Sequence, residues 1–158
     1  MQLFRAMDVS ASGLTAQRLR MEVEASNLAN AESTRTPEGG PYRRKMVQLG
    51  EREPGSGGAE SWGKALALAA GMPASHPGDR LGRGVRVLQI ATDPSAPRRE
   101  YRPGHPDADA QGYVTLPNVN PALEMVELIA ASRAYEANLA ALETAKGMVQ
   151  RTLDIGRR

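Results

Sequence analysis

The sequence contains no cysteine, only two histidines, and a single phenylalanine and a single tryptophan. Without cysteine the chain forms neither a disulfide nor a thiolate metal site, so it suits oxidising and reducing surroundings alike. Aromatic residues make up 4% of the 158 residues. Such a composition argues against a thick globular core.

Long apolar runs are also missing. The longest strongly apolar run is about Ala65 to Ala70, far short of the roughly 20 residues that a membrane-spanning helix needs, so we expect no membrane insertion. The first 21 residues lack the apolar stretch of a secretory signal, because Arg5, Asp8 and Arg18 interrupt them. We therefore expect no cleaved signal peptide, and any export has to use another route.

The charged and histidine residues point to no enzyme and no nucleic-acid partner. The net charge is only +2, and the few aromatics are scattered rather than gathered on a basic face. The basic run 43–45 is expected to form a solvated strand edge. His76 and His105 both stand beside prolines, without a Ser/His/Asp spacing or a phosphate-binding loop. We therefore predict no catalytic site and no cofactor.

Residues 103–120 invite comparison with a calcium-binding loop. Asp107, Asp109 and Gly112 match its positions one, three and six. A glutamine stands at position five, however, and Asn118 at position twelve, where a bidentate glutamate is required. We expect no metal here, and interpret the segment as a turn-rich elbow whose aspartates bond to nearby N–H groups.

The C-terminal part of the chain predicts one long helix over residues 120–156. Leu128, Tyr135, Leu142 and Val149 recur every seven residues, and further apolar residues fall three or four positions away, which is typical of a helix with one buried seam. These further residues are Met125, Ala131, Leu139, Ala145 and Leu153.

The ends of this helix are marked by local signals. Asn120 is a suitable cap for the first free N–H groups, Pro121 suits the first helical position, and Gly156 is a plausible stop. At about 1.5 Å per residue the helix is roughly 50 Å long, more than the diameter of a small domain. It is therefore expected to reach partners outside its own chain.

Residues 2–33 predict a second long helix. Met7, Leu14, Met21 and Leu28 recur every seven residues on one face. Gly13 lies in the interior of the predicted helix, where it costs about 1 kcal/mol relative to alanine. We expect a helix that is marginal alone and becomes firm in an assembly.

The middle of the chain predicts short strands and turns. A turn cluster at 36–41 precedes a strand at 42–49, and further strands are predicted at 85–90 and 98–102, the last two forming a small hairpin. Residues 50–84 are rich in Gly, Pro, Ser and Ala and predict a flexible insertion.

The predicted fold is mainly α with a small β part. Long N- and C-terminal helices pack as a coiled-coil-like pair, joined by a β-hairpin and loop-rich middle. We expect an axial helical domain of residues 1–34 and 118–158 and a loop-rich middle of residues 35–117. Periodicity alone leaves two assemblies open, an open polymer and a closed coiled-coil adaptor, because both present the same apolar stripe.

Several motifs resemble those of a known family. The pieces SNLANAES (26–33) and TPEGGPYRRK (36–45) resemble the N-terminal signature of bacterial flagellar rod and hook axial proteins. The block PGHPDADAQGYVTLPNVN (103–120) and the helix that follows are similar to the proximal rod branch of that family. The resemblance covers residues 1–49 and 85–156. The motif residues are Asn27, Leu28, Ala29, Asn30, Tyr42, Asn118 and Asn120.

The resemblance implies a structural subunit of the flagellar proximal rod. It implies export through the flagellar type III apparatus without a cleaved signal, and assembly with copies of itself and other rod proteins into the drive shaft that crosses the periplasm. The resemblance also implies that the terminal helices pack toward the axis of that shaft.

The apolar stripes of the two helices are the predicted assembly interface. We expect Leu14→Asp or Leu142→Asp to block incorporation while permitting synthesis, because each places a charge in a stripe. The predicted interface residues are Met7, Leu14, Met21, Leu28, Leu128, Tyr135, Leu139, Leu142, Val149 and Leu153.

Overall fold

The computed structural model describes residues 2–52, 69 and 83–156. Two long helices enclose four short strands in chain order. These elements are α1 (Gln2–Ala29), β1 (Lys45–Glu51), β2 (Val85–Thr92), β3 (Arg98–Tyr101), β4 (Tyr113–Leu116) and α2 (Pro121–Gly156). The predicted class, mainly α with a small β part, is confirmed.

Helix α2 begins where its local signals predicted, and the structure describes it as far as Gly156. The side chain of Asn120 accepts a hydrogen bond from the N–H of Ala122 at 3.1 Å, so it caps the helix, and Pro121 is the first helical residue. Helix α1 is four residues shorter than predicted, because turns replace its last residues. Asn30 accounts for this early stop, since its side chain donates to the carbonyl of Ser26 at 2.9 Å.

The strands form two separate two-stranded sheets, β1 with β2 and β3 with β4. Strands β3 and β4 are antiparallel, with Arg98 opposite Leu116 and Tyr101 opposite Tyr113. The predicted hairpin of β2 with β3 is therefore wrong in its partners, and β4 was not predicted. The end of β2 is instead joined to the segment that enters β1, because the N–H of Asp93 bonds to the carbonyl of Arg44 at 2.8 Å.

Most of the predicted insertion at 50–84 lies outside the described residues, and so does His76. At its start the chain is still in β1, which continues to Glu51. Among the described residues, no helix is long and apolar enough to cross a membrane.

The chain divides into two compact units. The first comprises Met1–Ala16, Leu49–Val87 and Tyr135–Arg158, and the second comprises Gln17–Gln48 and Leu88–Ala134. Each unit thus contains a part of both helices. The division into an axial helical domain and a loop-rich middle remains a prediction.

In the first unit, α1 and α2 approach each other closely at Gly13. A methyl group added there would lie 2.7 Å from the side-chain oxygen of Asn138, so the glycine that is unfavourable for an isolated helix permits this contact. The start of β2 is fixed to α1 as well, because the hydroxyl of Ser12 accepts the N–H of Val85 at 3.0 Å.

In the second unit, the apolar core is small and surrounds the end of α1. Ala31, Tyr42 and Val119 form one buried cluster, and Val114 and Leu116 of β4 are almost fully buried. Beside this core, polar residues from α1, from the start of β1 and from α2 are buried together.

Candidate functional site: a buried polar junction

Five polar residues meet in the second unit, and we call this cluster the polar junction. Its members come from α1, from the segment that enters β1, and from the first turn of α2. Three of them are buried polar or charged residues: Glu24 is 5% exposed, Asn27 0% and Glu124 1%. The polar junction consists of Glu24, Asn27, Tyr42, Arg44 and Glu124.

Asn27 lies at the centre and uses its whole hydrogen-bonding capacity. Its side-chain oxygen accepts the hydroxyl of Tyr42 at 3.0 Å and the N–H of Lys45 at 2.9 Å. Its amide nitrogen donates to the carbonyl of Lys45 at 2.8 Å and to Glu124 Oε2 at 2.9 Å. A buried amide with all four partners in place fixes one arrangement of α1, β1 and α2.

Glu124 is the buried anion of the junction. Its Oε1 accepts the Nε–H of Arg44 at 2.6 Å, and the carboxylate stands in the first turn of α2, where the helix dipole favours a negative charge. Burial raises the pKa of Glu124, but hydrogen bonds from Glu24, Asn27 and Arg44 outweigh it and hold that pKa below its usual value. Glu124 is therefore ionised at neutral pH.

Glu24 is the buried carboxyl of the junction with a raised pKa. Burial raises the pKa of Glu24 to about 7, and the hydrogen bond to Glu124 and the negative charge of Glu124 act in the same direction. Arg44 and Arg20 lower it by a smaller amount. One buried oxygen of Glu24, Oε2, has no hydrogen-bond partner in the part of the chain that the structure describes. Such an oxygen is costly as part of a carboxylate and less costly as part of a neutral acid.

Arg44 corrects one expectation from the sequence. The basic run 43–45 was predicted to be a solvated edge, but the side chain of Arg44 is only 18% exposed and is paired with Glu124. Burial lowers the pKa of Arg44, but the hydrogen bond and charge of Glu124 raise it further, so the net shift is upward. Arg43 and Lys45 are exposed as predicted, with the Lys45 ammonium 5.9 Å from the centre of the Tyr42 ring.

The family-motif residues have several different positions. Asn27 and Tyr42 meet in the junction, whereas Asn30 bonds within the turn after α1 and Asn120 caps α2. Asn118 is exposed and borders a cavity of about 150 Å³. Of the remaining motif residues, Leu28 is half-buried and Ala29 is exposed.

The predicted assembly residues are mostly half-buried within the chain. This holds for Met7, Leu14, Met21 and Leu28 of α1 and for Leu128, Tyr135, Leu142 and Val149 of α2. Only Leu139 and Leu153 are exposed, by 38% and 63%.

A different stripe of α1 is the most deeply buried one. Gly13, Ala16, Val23 and Asn27 are buried, spaced three, seven and four residues apart. At 3.6 residues per turn this stripe lies about a third of a turn from the predicted one.

In α2 the predicted seam is covered only in part. Ala131 and Ala145 are buried and four seam residues are half-buried, whereas Met125, Leu139 and Leu153 are exposed.

Several apolar residues of α2 outside the predicted seam are also exposed. In the second unit, Leu123, Val126 and Ile129 of α2 are 52%, 63% and 53% exposed. In the first unit, Met148 and Ile155 are 48% and 77% exposed. The residues of the second unit are spaced three apart and those of the first unit seven apart, so within each unit they share one side of the helix.

The elbow at 103–120 is held by its aspartates, as expected. Asp109 Oδ1 accepts the N–H groups of Gln111 and Tyr113 at 2.9 and 2.8 Å, and these bonds lower the pKa of Asp109. Asp107 accepts the hydroxyl of Thr34 at 2.7 Å and pairs with Arg35. No group of three potential metal ligands exists among the residues that the structure describes.

Sequence reasoning identified Asn27 and Tyr42 but missed Glu24, Arg44 and Glu124 as members of one site. One available signal was the phase of α1, because Glu24 lies three residues before Asn27 and one after the buried Val23. The position of Glu124 in the first turn of α2 was a second signal.

Comparison with known proteins agrees with the resemblance. A family described as flagella basal body rod protein matches residues 7–35. A second family, described as flagellar basal body rod FlgEFG protein C-terminal, matches residues 110–155. The two matched segments include most of α1 and almost all of α2.

Relatives extend along nearly the whole chain. The flagellar basal-body rod protein FlgC of Bacillus subtilis (strain 168) is 44% identical, covering 99% of this chain and 100% of the relative. FlgC of Borreliella burgdorferi is 41% identical, covering 98% of each chain. FlgC of Salmonella typhimurium (strain LT2) is 38% identical, covering 99% of each.

The identity thus extends beyond the segments 1–49 and 85–156 in which the motifs were recognised. It also decides between the two assemblies that periodicity left open, in favour of the rod and against the closed adaptor. The chain belongs to the FlgC family of flagellar basal-body rod proteins and is a structural subunit of the flagellar rod.

Proposed function

We propose that the subunit joins neighbouring copies of itself and other rod proteins through the exposed apolar side of α2. The observation that carries this proposal is the exposure of Leu123, Val126 and Ile129 in the second unit. Their opposite neighbours on the same helix, Glu124 and Ala131, are buried within the chain. A helix that is apolar on two sides buries only one of them in a monomer, and the second requires another molecule.

The predicted interface residues then divide into two groups. Leu139 and Leu153 are exposed on the seam side of α2, across the helix from Met148 and Ile155, and form a second surface that we expect neighbouring subunits to cover. The other predicted interface residues are half-buried within the subunit. We expect neighbouring subunits to cover the rest of their surface in the rod. Repeated along the shaft, burial of about 25 cal/mol per Å² of apolar area stabilises a rod stiff enough to transmit torque.

The experiment compares two variants in the organism, Met148→Asp and Gln150→Asp. Both residues are exposed on α2, two positions apart, and each change adds one negative charge. We expect Met148→Asp to abolish swimming and to leave purified basal bodies without a complete rod, while Gln150→Asp swims normally. Normal rods with Met148→Asp would contradict the proposed surface, and equal loss in both variants would point to charge rather than apolar contact.

The proposed route to the rod is the flagellar type III export apparatus, without removal of an N-terminal signal. It is supported by the charges that interrupt the first 21 residues and by the flagellar family of the chain. Mass spectrometry of rod fractions tests it directly. We expect a peptide that begins at Met1 or Gln2, and an N-terminus displaced by 15 to 30 residues would indicate a cleaved signal instead.

The proposed role is wholly structural, with no catalytic step. The relatives are flagellar basal-body rod proteins by name, and the junction is shielded from solvent, with Glu124 only 1% exposed. The ring of His105 is bonded locally, because its Nδ1 accepts the N–H of Asp107 at 3.1 Å. Its substitution by glutamine is expected to leave rod assembly intact.

A further inference from the structure

Two carboxyl groups from different helices meet in the interior of the second unit. Glu24 of α1 is 5% exposed and Glu124 of α2 is 1% exposed, and Glu24 Oε2 is buried without a hydrogen-bond partner among the residues that the structure describes. Two carboxylates have no hydrogen to share, so a hydrogen bond between them forms only while one of the groups holds a proton. Glu124 already receives Arg44 and Asn27, so the proton belongs to Glu24.

Two arginines act on this pair by their charge, and one of them, Arg44, is hydrogen-bonded to it. The guanidinium of Arg44 donates to Glu124, and Arg20 pairs with Glu127. Asp93, after β2, acts on Arg44 with a further negative charge. The charged groups that face the pair are therefore Arg20 on α1, Arg44 before β1, Asp93 after β2, and Glu127 on α2.

We propose that the Glu24–Glu124 pair is a proton-dependent latch that holds α1 against α2 in the second unit. With its proton, Glu24 donates to Glu124 and the junction is neutralised by Arg44. Without that proton, two adjacent buried negative charges share one hydrogen-bonded arginine, and the unpartnered Oε2 of Glu24 becomes a buried anionic atom. The subunit is consequently held more tightly in mildly acidic than in alkaline surroundings.

The pKa of Glu24 places this change near neutral pH. It is raised from 4.5 to about 7, first by burial and then by the hydrogen bond and charge of Glu124. The folded chain therefore binds this proton more tightly than the unfolded chain does. The resulting stability is fully present below pH 4.5 and is lost as the pH rises through about 7.

The contribution of Glu124 to stability changes with pH in the opposite direction. Its lowered pKa contributes stability that is present above its ordinary value of 4.5 and is lost as the pH falls through the folded value. Together the two carboxyls make the latch tightest at about pH 5. Between pH 5 and 8 the change comes from Glu24, while Glu124 stays ionised.

The test measures urea unfolding of the full chain and of Glu24→Gln from pH 5 to pH 8. Glutamine donates a hydrogen bond to Glu124 as the protonated acid does, but it carries no charge at any pH. We expect the unfolding constant of the unchanged chain to rise about 10- to 100-fold relative to the variant over this range. Parallel pH profiles for the two proteins would overturn the proposal, since all other titrating groups are common to both.

Glu22→Gln is the matched control. Glu22 lies on the same helix, with a 60% exposed side chain paired to Arg18, so its replacement is expected to retain the unchanged pH profile. A second measurement does not depend on the stability of any variant. The carboxyl carbon resonance of Glu24 in the unchanged chain should titrate near pH 7, and a midpoint near 4.5 would overturn the latch.

Discussion

Asn27 and Glu124 are 97 residues apart in the chain and are joined by a buried hydrogen bond of 2.9 Å. The bond links the last turns of α1 to the first turn of α2. Since Asn27 also holds both main-chain polar groups of Lys45, one amide connects three segments of the second unit. This connection explains in physical terms why an asparagine stands at a position with no exposed surface.

Removal of the Asn27 amide should destabilise the folded chain. Asn27→Ala leaves the N–H and carbonyl of Lys45 without their partner and removes one donor to Glu124. Buried groups that lose a partner cost about 1–3 kcal/mol each, so we expect a loss of about 4 kcal/mol in the free energy of unfolding. Urea denaturation monitored by circular dichroism measures this loss.

Asn118→Ala is the control for that experiment, because Asn118 is the same residue type in an exposed position. Its replacement is expected to cost less than about 0.5 kcal/mol, as surface substitutions usually do. Equal effects of the two alanines would show that the four hydrogen bonds of Asn27 do not stabilise the subunit.

Removal of the counter-ion should destabilise the junction in a pH-dependent way. Arg44→Met leaves the buried carboxylate of Glu124 without its cation, at an expected cost of about 3 kcal/mol at pH 7. The cost should shrink as acid protonates Glu124, because protonation removes the uncompensated charge. Arg43→Met, at an exposed neighbouring position, should change the unfolding free energy little at neutral or acidic pH; a cost independent of pH in Arg44→Met would indicate lost packing instead.

Two glycines with the same backbone angle provide a matched pair for the first and second units. Gly84 and Gly40 both have φ of +77°, but a methyl group on Gly84 would lie 2.4 Å from the hydroxyl of Ser12, whereas Gly40 has nothing within 4 Å. We expect Gly40→Ala to cost about 1 kcal/mol from the backbone angle alone. Gly84→Ala should cost about 3 kcal/mol, because it also displaces the Ser12 hydroxyl from Val85. Thermal unfolding of both variants gives the difference, and equal costs would refute the close contact.

Low pH should disorder the elbow at residues 103–120. Hydrogen bonds from the backbone lower the pKa of Asp109 below its ordinary value of 3.8, so its contribution is present above pH 3.8 and is lost as the pH falls through the folded value. Asp109→Asn keeps an oxygen that accepts the same N–H groups but does not titrate. Amide resonances of Gln111 and Tyr113 should therefore shift with acid in the unchanged chain and stay constant in the variant; identical acid shifts would contradict this role.

The parts of the fold that depend on local chemistry were predictable from the sequence. The cap at Asn120 and the start of α2 at Pro121 follow from residue types within one turn of the helix. The class of the fold follows from two long periodic segments. The partners of β2 did not follow, because pairing with β1 depends on contacts across a long segment of chain rather than on the turn beside it.

The junction was only half predictable for a related reason. Glutamate and arginine are usually exposed, so a sequence pattern assigns them to a solvated face. Arg44 and Glu124 are buried together because each supplies the opposite charge and the hydrogen-bonding group that the other needs, and Glu24 is buried beside them. That complementarity exists only after three distant segments have met.

The two hydrogen bonds between the Asn27 side chain and the main chain of Lys45 also limit how the chain can change in length. One amide meets both the N–H and the carbonyl of the first residue of β1, so the number of residues in the connection 28–44 is set by geometry. Inserting or deleting a single residue there would bring a neighbouring residue to Asn27 and reverse the direction of the side chain that follows. Arg44 would then point away from Glu124, so this connection tolerates substitutions of its exposed side chains more readily than any change in its length.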